Sequence, residues 1–220
     1  MKTKSKNPND DLQAIREIME RSSKFLSLSG LSGIFAGVCA LMGAAIAWYF
    51  ILNSGHIQYS EYILNTQDPL TRNVGFYLVL VAFLVLVFAV LGAIYFSFRK
   101  AKKAGQQFWT NTTKRLLVHL MIPLVSGGII ILLLIFRNKL DLVVPIMLVF
   151  YGLSLVNAGK FTFGEIHYLG LTEIALGILA IIFINQSLLF WTIGFGLMHI
   201  VYGTVMYYRH EWKNSGSNQR

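Results

Sequence analysis

Six apolar runs, at residues 25–52, 74–98, 116–136, 142–158, 166–184 and 188–208, take up most of this 220-residue chain. A helix rises about 1.5 Å per residue and the hydrocarbon of a bilayer is about 30 Å thick, so about 20 apolar residues cross it. Lipid offers backbone amides no hydrogen-bond partner, which leaves helices or a closed barrel as the only spanning forms. Barrel strands would be half as long and would alternate polar with apolar positions; these runs do neither. The pattern therefore predicts an all-α membrane protein with six transmembrane helices. A tail at 1–24 precedes the membrane domain at 25–208, and a second tail follows at 209–220.

Within that frame the spacing predicts finer features. Asp10 with Gln13 three residues on reads as a capping box, and Leu12, Ile15, Ile18 and Met19 share one helical face. A short amphipathic helix on the membrane surface is expected there. In the first span Ser29, Gly33 and Gly37 form one row and Ala36, Ala40 and Ala44 the next. Both rows have the four-residue spacing that lets membrane helices touch backbone to backbone, which makes this the expected central packing helix. The second span is apolar all round and should face lipid on most sides. Short links at 137–141 and 185–187 make spans three and four, and spans five and six, antiparallel neighbours. Thr162 with Glu165 reads as a second capping box, which starts the fifth helix near Phe163.

Composition agrees: 55% of residues are hydrophobic and 13% charged, where a soluble domain carries roughly a quarter charged. The net charge of +9 raises the question of nucleic acid, and its distribution answers it. Of the 19 lysines and arginines, all but Arg72, Arg137 and Lys139 fall on one side of the predicted membrane. Such residues in short loops stay cytoplasmic, so both termini are expected inside. The excess also attracts anionic headgroups, and no nucleic-acid recognition fold accompanies it. Cys39 is the only cysteine, which excludes an intrachain disulfide and a paired-thiolate metal site and leaves it a small packing residue. Ala45-Ile46-Ala47 imitates a signal-peptide cleavage site. The preceding stretch is too long and too acidic for a signal peptide, so the first run reads as a retained span.

Ionisable residues inside a membrane are costly and mark candidate sites. Three stand clearly within the spans: His119, Glu173 and His199. Glu173 has Gly170 and Gly177 on its own helical face, and His199 has Gly196 and Gly203 at the same offsets. Counted from the cytoplasmic ends of the fifth and sixth spans at the helical rise, the two sit at depths of about 15 and about 14 Å. They are therefore placed to meet near mid-membrane and share a proton. Such a pair would serve as a proton relay, a solute-binding pair or an intramembrane acid/base, or as a buried hydrogen bond that fixes helix register. His119 lies nearer the inner surface, either interfacial or bonded to Asn157. A haem between His119 and His199 lacks supporting histidines, and zinc would need all three residues, so no cofactor or metal is expected. Lys160, Glu165 and His167 in the inner loop form either a headgroup or anion site at the cytoplasmic mouth or a solvated turn. The sequence contains no phosphate-cradling loop, nucleophile elbow or nucleotide fingerprint, which weighs against a self-contained hydrolase and leaves enzyme activity open.

The segments LSLSGLSGIFAG at 26–37, YLGLTEIALG at 168–177 and GFGLMHIVYG at 194–203 resemble those of a bacterial family of small six-span inner-membrane proteins. The resemblance covers nearly the whole chain and implies an inner-membrane location and this topology, but no mechanism. Transport or membrane-coupled sensing through the Glu173/His199 pair is the leading expectation. The alternatives are a structural or partner subunit of a membrane complex and an intramembrane enzyme acting on a lipid-like substrate. Expected partners are membrane lipids and either another membrane protein or a second copy of the chain, without nucleic acid.

Overall fold

The computed structural model describes residues 24–53, 69–137 and 139–212. The expected surface helix around Asp10, most of the 53–73 loop and the tail from 213 on lie outside the described residues. Every regular element among those described is helical. These elements are α1 (Gly30–Asn53), α2 (Pro69–Lys103), α3 (Asn111–Phe136), α4 (Val143–Gly159), α5 (Gly164–Ile182) and the composite helix α6 (Ile184–Trp212). Each is long and apolar enough to cross a membrane, α4 together with the 3-10 turn Leu140–Leu142 that leads into it.

Two boundaries differ from the sequence expectation for identifiable reasons. The first helix begins at Gly30, because residues 25–29 find partners elsewhere. The Phe25 amide donates to the Phe161 carbonyl at 2.7 Å, and the Ser27 hydroxyl donates to Gln106 at 3.0 Å. Nor does Thr162 close a capping box with Glu165: its hydroxyl donates to the Phe25 carbonyl at 2.8 Å, and α5 begins after Phe163 without a side-chain cap. The second helix is longer than its apolar run, at 35 residues. Pro69, whose fixed φ suits a first turn, opens it, and three lysines in the last turn favour its negative end. It stops at Gly105, whose φ of 63° lets the Gln106 amide turn back to the Ala101 carbonyl at 3.0 Å.

The helices pack in a chain of neighbours. Helix α2 lies along α1, α1 along α6, α6 against α5 and α4, and α4 against both α5 and α3. The small-residue rows set the two closest crossings. A Cβ at Gly37 would sit 2.6 Å from the Gly196 carbonyl oxygen, and one at Gly33 would sit 3.1 Å from the Gly203 Cα, so α1 and α6 meet backbone to backbone. A Cβ at Gly170 would lie 2.7 Å from the Gly152 carbonyl oxygen, which locks α5 onto α4 in the same way. The dry core holds Ala40, Ala44, Ala47 and Ile51 of α1, Val144 and Leu148 of α4, Ala180 of α5, and Leu188 and Trp191 of α6. Large apolar side chains of α2 and α3, among them Phe83, Phe88, Ile122 and Leu133, point outward, as lipid-facing surfaces do.

One end of the bundle is tied by a polar lock. The Glu211 carboxylate near the end of α6 accepts from the Gly30 amide at 2.7 Å and the Ser29 hydroxyl at 3.2 Å, capping α1 at its positive pole. Lys100 of α2 reaches the same carboxylate at 3.4 Å and donates to the Leu28 carbonyl at 2.6 Å. The first, second and sixth helices are thereby fixed to one another at the end that carries the basic residues.

Candidate functional site

Glu173 and His199 meet in the middle of this bundle. The α4–α5 contact through Gly152 and Gly170 turns Glu173 inward, where its side chain is 0% exposed. Its Oε1 lies 3.4 Å from Nδ1 of His199, yet among the described residues neither carboxyl oxygen has a hydrogen-bond partner. The reason lies in α6. This helix opens with a 3-10 turn (Ile184–Gln186), runs as an α-helix over Ser187–Trp191, widens into π geometry over Thr192–Met198, resumes as an α-helix at His199–Tyr207 and widens again over Tyr208–Trp212. π segments inside membrane or soluble helices gather at functional sites because they re-aim side chains and backbone groups.

Here the π segment aims the Gly194 carbonyl at the histidine. Nδ1 of His199 lies 3.0 Å from that oxygen. A carbonyl can only accept, so Nδ1 carries the proton, and Nε2 accepts from the Tyr151 hydroxyl at 2.7 Å. The ring is thus bonded at both nitrogens, with its Nδ1 proton committed to Gly194 and the carboxyl close beside it. Gly194 also makes the room: a Cβ there would collide with Glu173 Oε2 and stand 2.9 Å from a Leu148 methyl. Aromatic rings close the surroundings. Tyr151 stacks on His199 with centroids 5.5 Å apart, and Phe195 lies 4.9 Å from Tyr151.

Chemically, Tyr151, His199 and Glu173 form an ordered series of hydroxyl, imidazole and carboxyl, drawn from α4, α6 and α5. Each member can hold or pass a proton, and the Glu173 and His199 side chains are buried. Tyr151→Phe removes the donor to a buried nitrogen, and we expect it to cost about 1–2 kcal/mol. Thermal unfolding in detergent checks this, with Tyr151→Leu expected to cost more because the ring stack goes as well.

The other sequence candidates lie apart from this centre. His119 is exposed on α3 and stacks on Phe161 at 4.8 Å, while Asn157 is half-buried on α4. Among the described residues no three His, Cys, Asp or Glu side chains gather closely enough to hold a metal ion, so His119 does not join the pair. Lys160 is exposed, and His167 packs behind Gly159. Glu165 turns to α6 instead, accepting from Arg209 at 3.2 Å and lying 3.3 Å from His210 Nε2. Gly196 and Gly203, expected beside His199, face α1; it is Gly194 that faces the carboxyl.

Sequence reasoning missed Tyr151 and Gly194. Tyr151 did leave a signal: it stands at the centre of α4, far from the membrane interfaces where tyrosines concentrate. A mid-span hydroxyl needs a partner. Gly194 left none, because the π segment that gives it its role has no sequence signature.

Six apolar helices with a buried polar centre define a multi-pass membrane protein. No protein-family model matches the chain, and no curated protein or solved structure matches it. The reading of its role therefore rests on the site itself.

Proposed function

We propose that this protein works in transport or membrane-coupled sensing, as a proton-linked switch built on Glu173, His199 and Tyr151. The observation that carries the reading is a wholly buried carboxyl with neither oxygen hydrogen-bonded among the described residues, its Oε1 3.4 Å from the His199 Nδ1 whose proton is held by the Gly194 carbonyl. Were Glu173 serving only as glue between helices, its oxygens would be hydrogen-bonded across the interface. Instead it sits beside a donor committed elsewhere. Loss of the Glu173 proton places a charge next to Nδ1–H and draws that donor from Gly194 to the carboxylate. The Gly194 carbonyl is then released, and the π segment has two arrangements to choose between. The chain belongs, in this reading, to a bacterial inner membrane with both termini in the cytoplasm, supported by the basic residues clustered at one end of the bundle.

Hydrogen–deuterium exchange on the full chain in lipid nanodiscs tests the switch without knowledge of the solute. After correction for intrinsic rates, amides at 192–199 should change protection by about tenfold or more between acid and alkaline pH, as local two-state opening does. The change should vanish in Glu173→Gln. An equal change in Glu173→Gln sinks the reading.

A further inference from the structure

The basic end of the bundle holds a second feature, distinct from the buried series. A pocket of about 610 Å³ opens there, lined by Lys24, Lys100, Arg209, His210 and Glu165 together with Phe163 at the start of α5. Its size falls within the range of small-ligand sites. The cations come from three places in the chain: the strap before α1, the end of α2 and the end of α6. Phe163 organises the floor, with the His210 ring stacked on it at 4.1 Å and the Lys100 ammonium 5.2 Å from its centroid. Glu165 holds Arg209 and His210 at the rim, and Glu211 holds Lys100 from behind.

We infer that this pocket binds a phosphate-bearing group, of the kind carried by an anionic phospholipid headgroup or by free phosphate. Among the described residues Lys24, Lys100 and Arg209 outnumber the single lining carboxylate, Glu165, while Glu211 offsets Lys100 from outside the pocket. The Arg209 side chain is 67% exposed, so its guanidinium can turn to an arriving phosphate and bind it bidentately. Thr162 and Gln106 add polar lining, although the Thr162 hydroxyl is already given to Phe25. The pocket lies at the end of the bundle that carries the basic residues, the end that would meet anionic headgroups. Lys160 and His167, which the sequence grouped with Glu165, do not line it.

Native mass spectrometry of the full chain decides the matter. Protein in zwitterionic detergent is titrated with palmitoyl-oleoyl phosphatidylglycerol, with the phosphatidylcholine of the same chains, and with inorganic phosphate. Wild type should retain one phosphatidylglycerol in preference to phosphatidylcholine. The double variant Lys24→Gln/Arg209→Gln should bind it about tenfold more weakly or less, since two charge-assisted contacts are lost. The control Lys114→Gln/Lys160→Gln, which removes the same charge at the same end outside the pocket, should bind as wild type does. Displacement of the lipid by inorganic phosphate would assign recognition to the phosphate itself; retention against phosphate would assign it to the lipid. Equal weakening in both double variants, or no preference in wild type for either phosphate source, overturns the site.

Discussion

Glu173→Met is expected to melt several degrees above wild type while losing all pH-dependent behaviour of α6. The carboxyl is fully buried and among the described residues neither oxygen is hydrogen-bonded, so its desolvation cost is offset only by the 3.4 Å approach of His199. Methionine is unbranched, of similar reach and apolar, and fills the same space beside Gly194 and Leu148. Removing one member of a buried pair commonly orphans the other. Here His199 keeps both its partners, Gly194 and Tyr151, so nothing is left unsatisfied. The expected gain is about 1–3 kcal/mol. A more stable protein without its switch is the pattern of a residue kept for function at a cost in stability. Thermal unfolding in detergent, followed by tryptophan fluorescence, reads the first half, and exchange at 192–199 the second. A variant that melts below wild type would make Glu173 a structural residue.

Gly170→Leu is expected to damage the fold severely. A Cβ at this position would already press on backbone from α4, 2.7 Å from the Gly152 carbonyl oxygen and 2.8 Å from the Val156 amide nitrogen. Backbone cannot rotate aside as a side-chain tip can, so the two helices must separate along their closest contact. Overpacking of this kind costs about 3 kcal/mol, at the upper end of the usual range. Separation would also carry Glu173, one turn along α5, away from the Leu148 and Gly194 contacts that bury it. The same unfolding assay should show a large fall in melting temperature. Gly128→Leu on α3, where an added Cβ meets open space, should leave it nearly unchanged.

The membrane fold was legible because its cause is simple: six apolar runs of spanning length admit few alternatives. The Gly33–Gly37 part of the first-span row and the meeting of Glu173 with His199 were legible too, since helical spacing alone sets faces and heights; Ser29, at the head of that row, falls before α1 and donates to Glu211. Depth, however, says nothing of which partners a side chain takes. Nothing in the spacing around His199 separates Gly194 from Gly196 and Gly203 as its neighbours, because a regular helix would put the latter two on its face and the π segment does not. Thr162 and Glu165 carried the right residues for a capping box, yet tertiary partners, Phe25 and Arg209, outbid the local bond. The lock at Glu211 joins residues about 180 positions apart, a separation that local patterns cannot reach.

The most direct test of the central claim is infrared difference spectroscopy between acid and alkaline pH on the full chain in nanodiscs. The account predicts a reversibly titrating carboxyl C=O band that is absent in Glu173→Gln and shifts in frequency in Tyr151→Phe, because the hydroxyl bonds and holds the imidazole that stands 3.4 Å from the carboxyl. A spectrum in which no titrating carboxyl band responds to Glu173→Gln would contradict it.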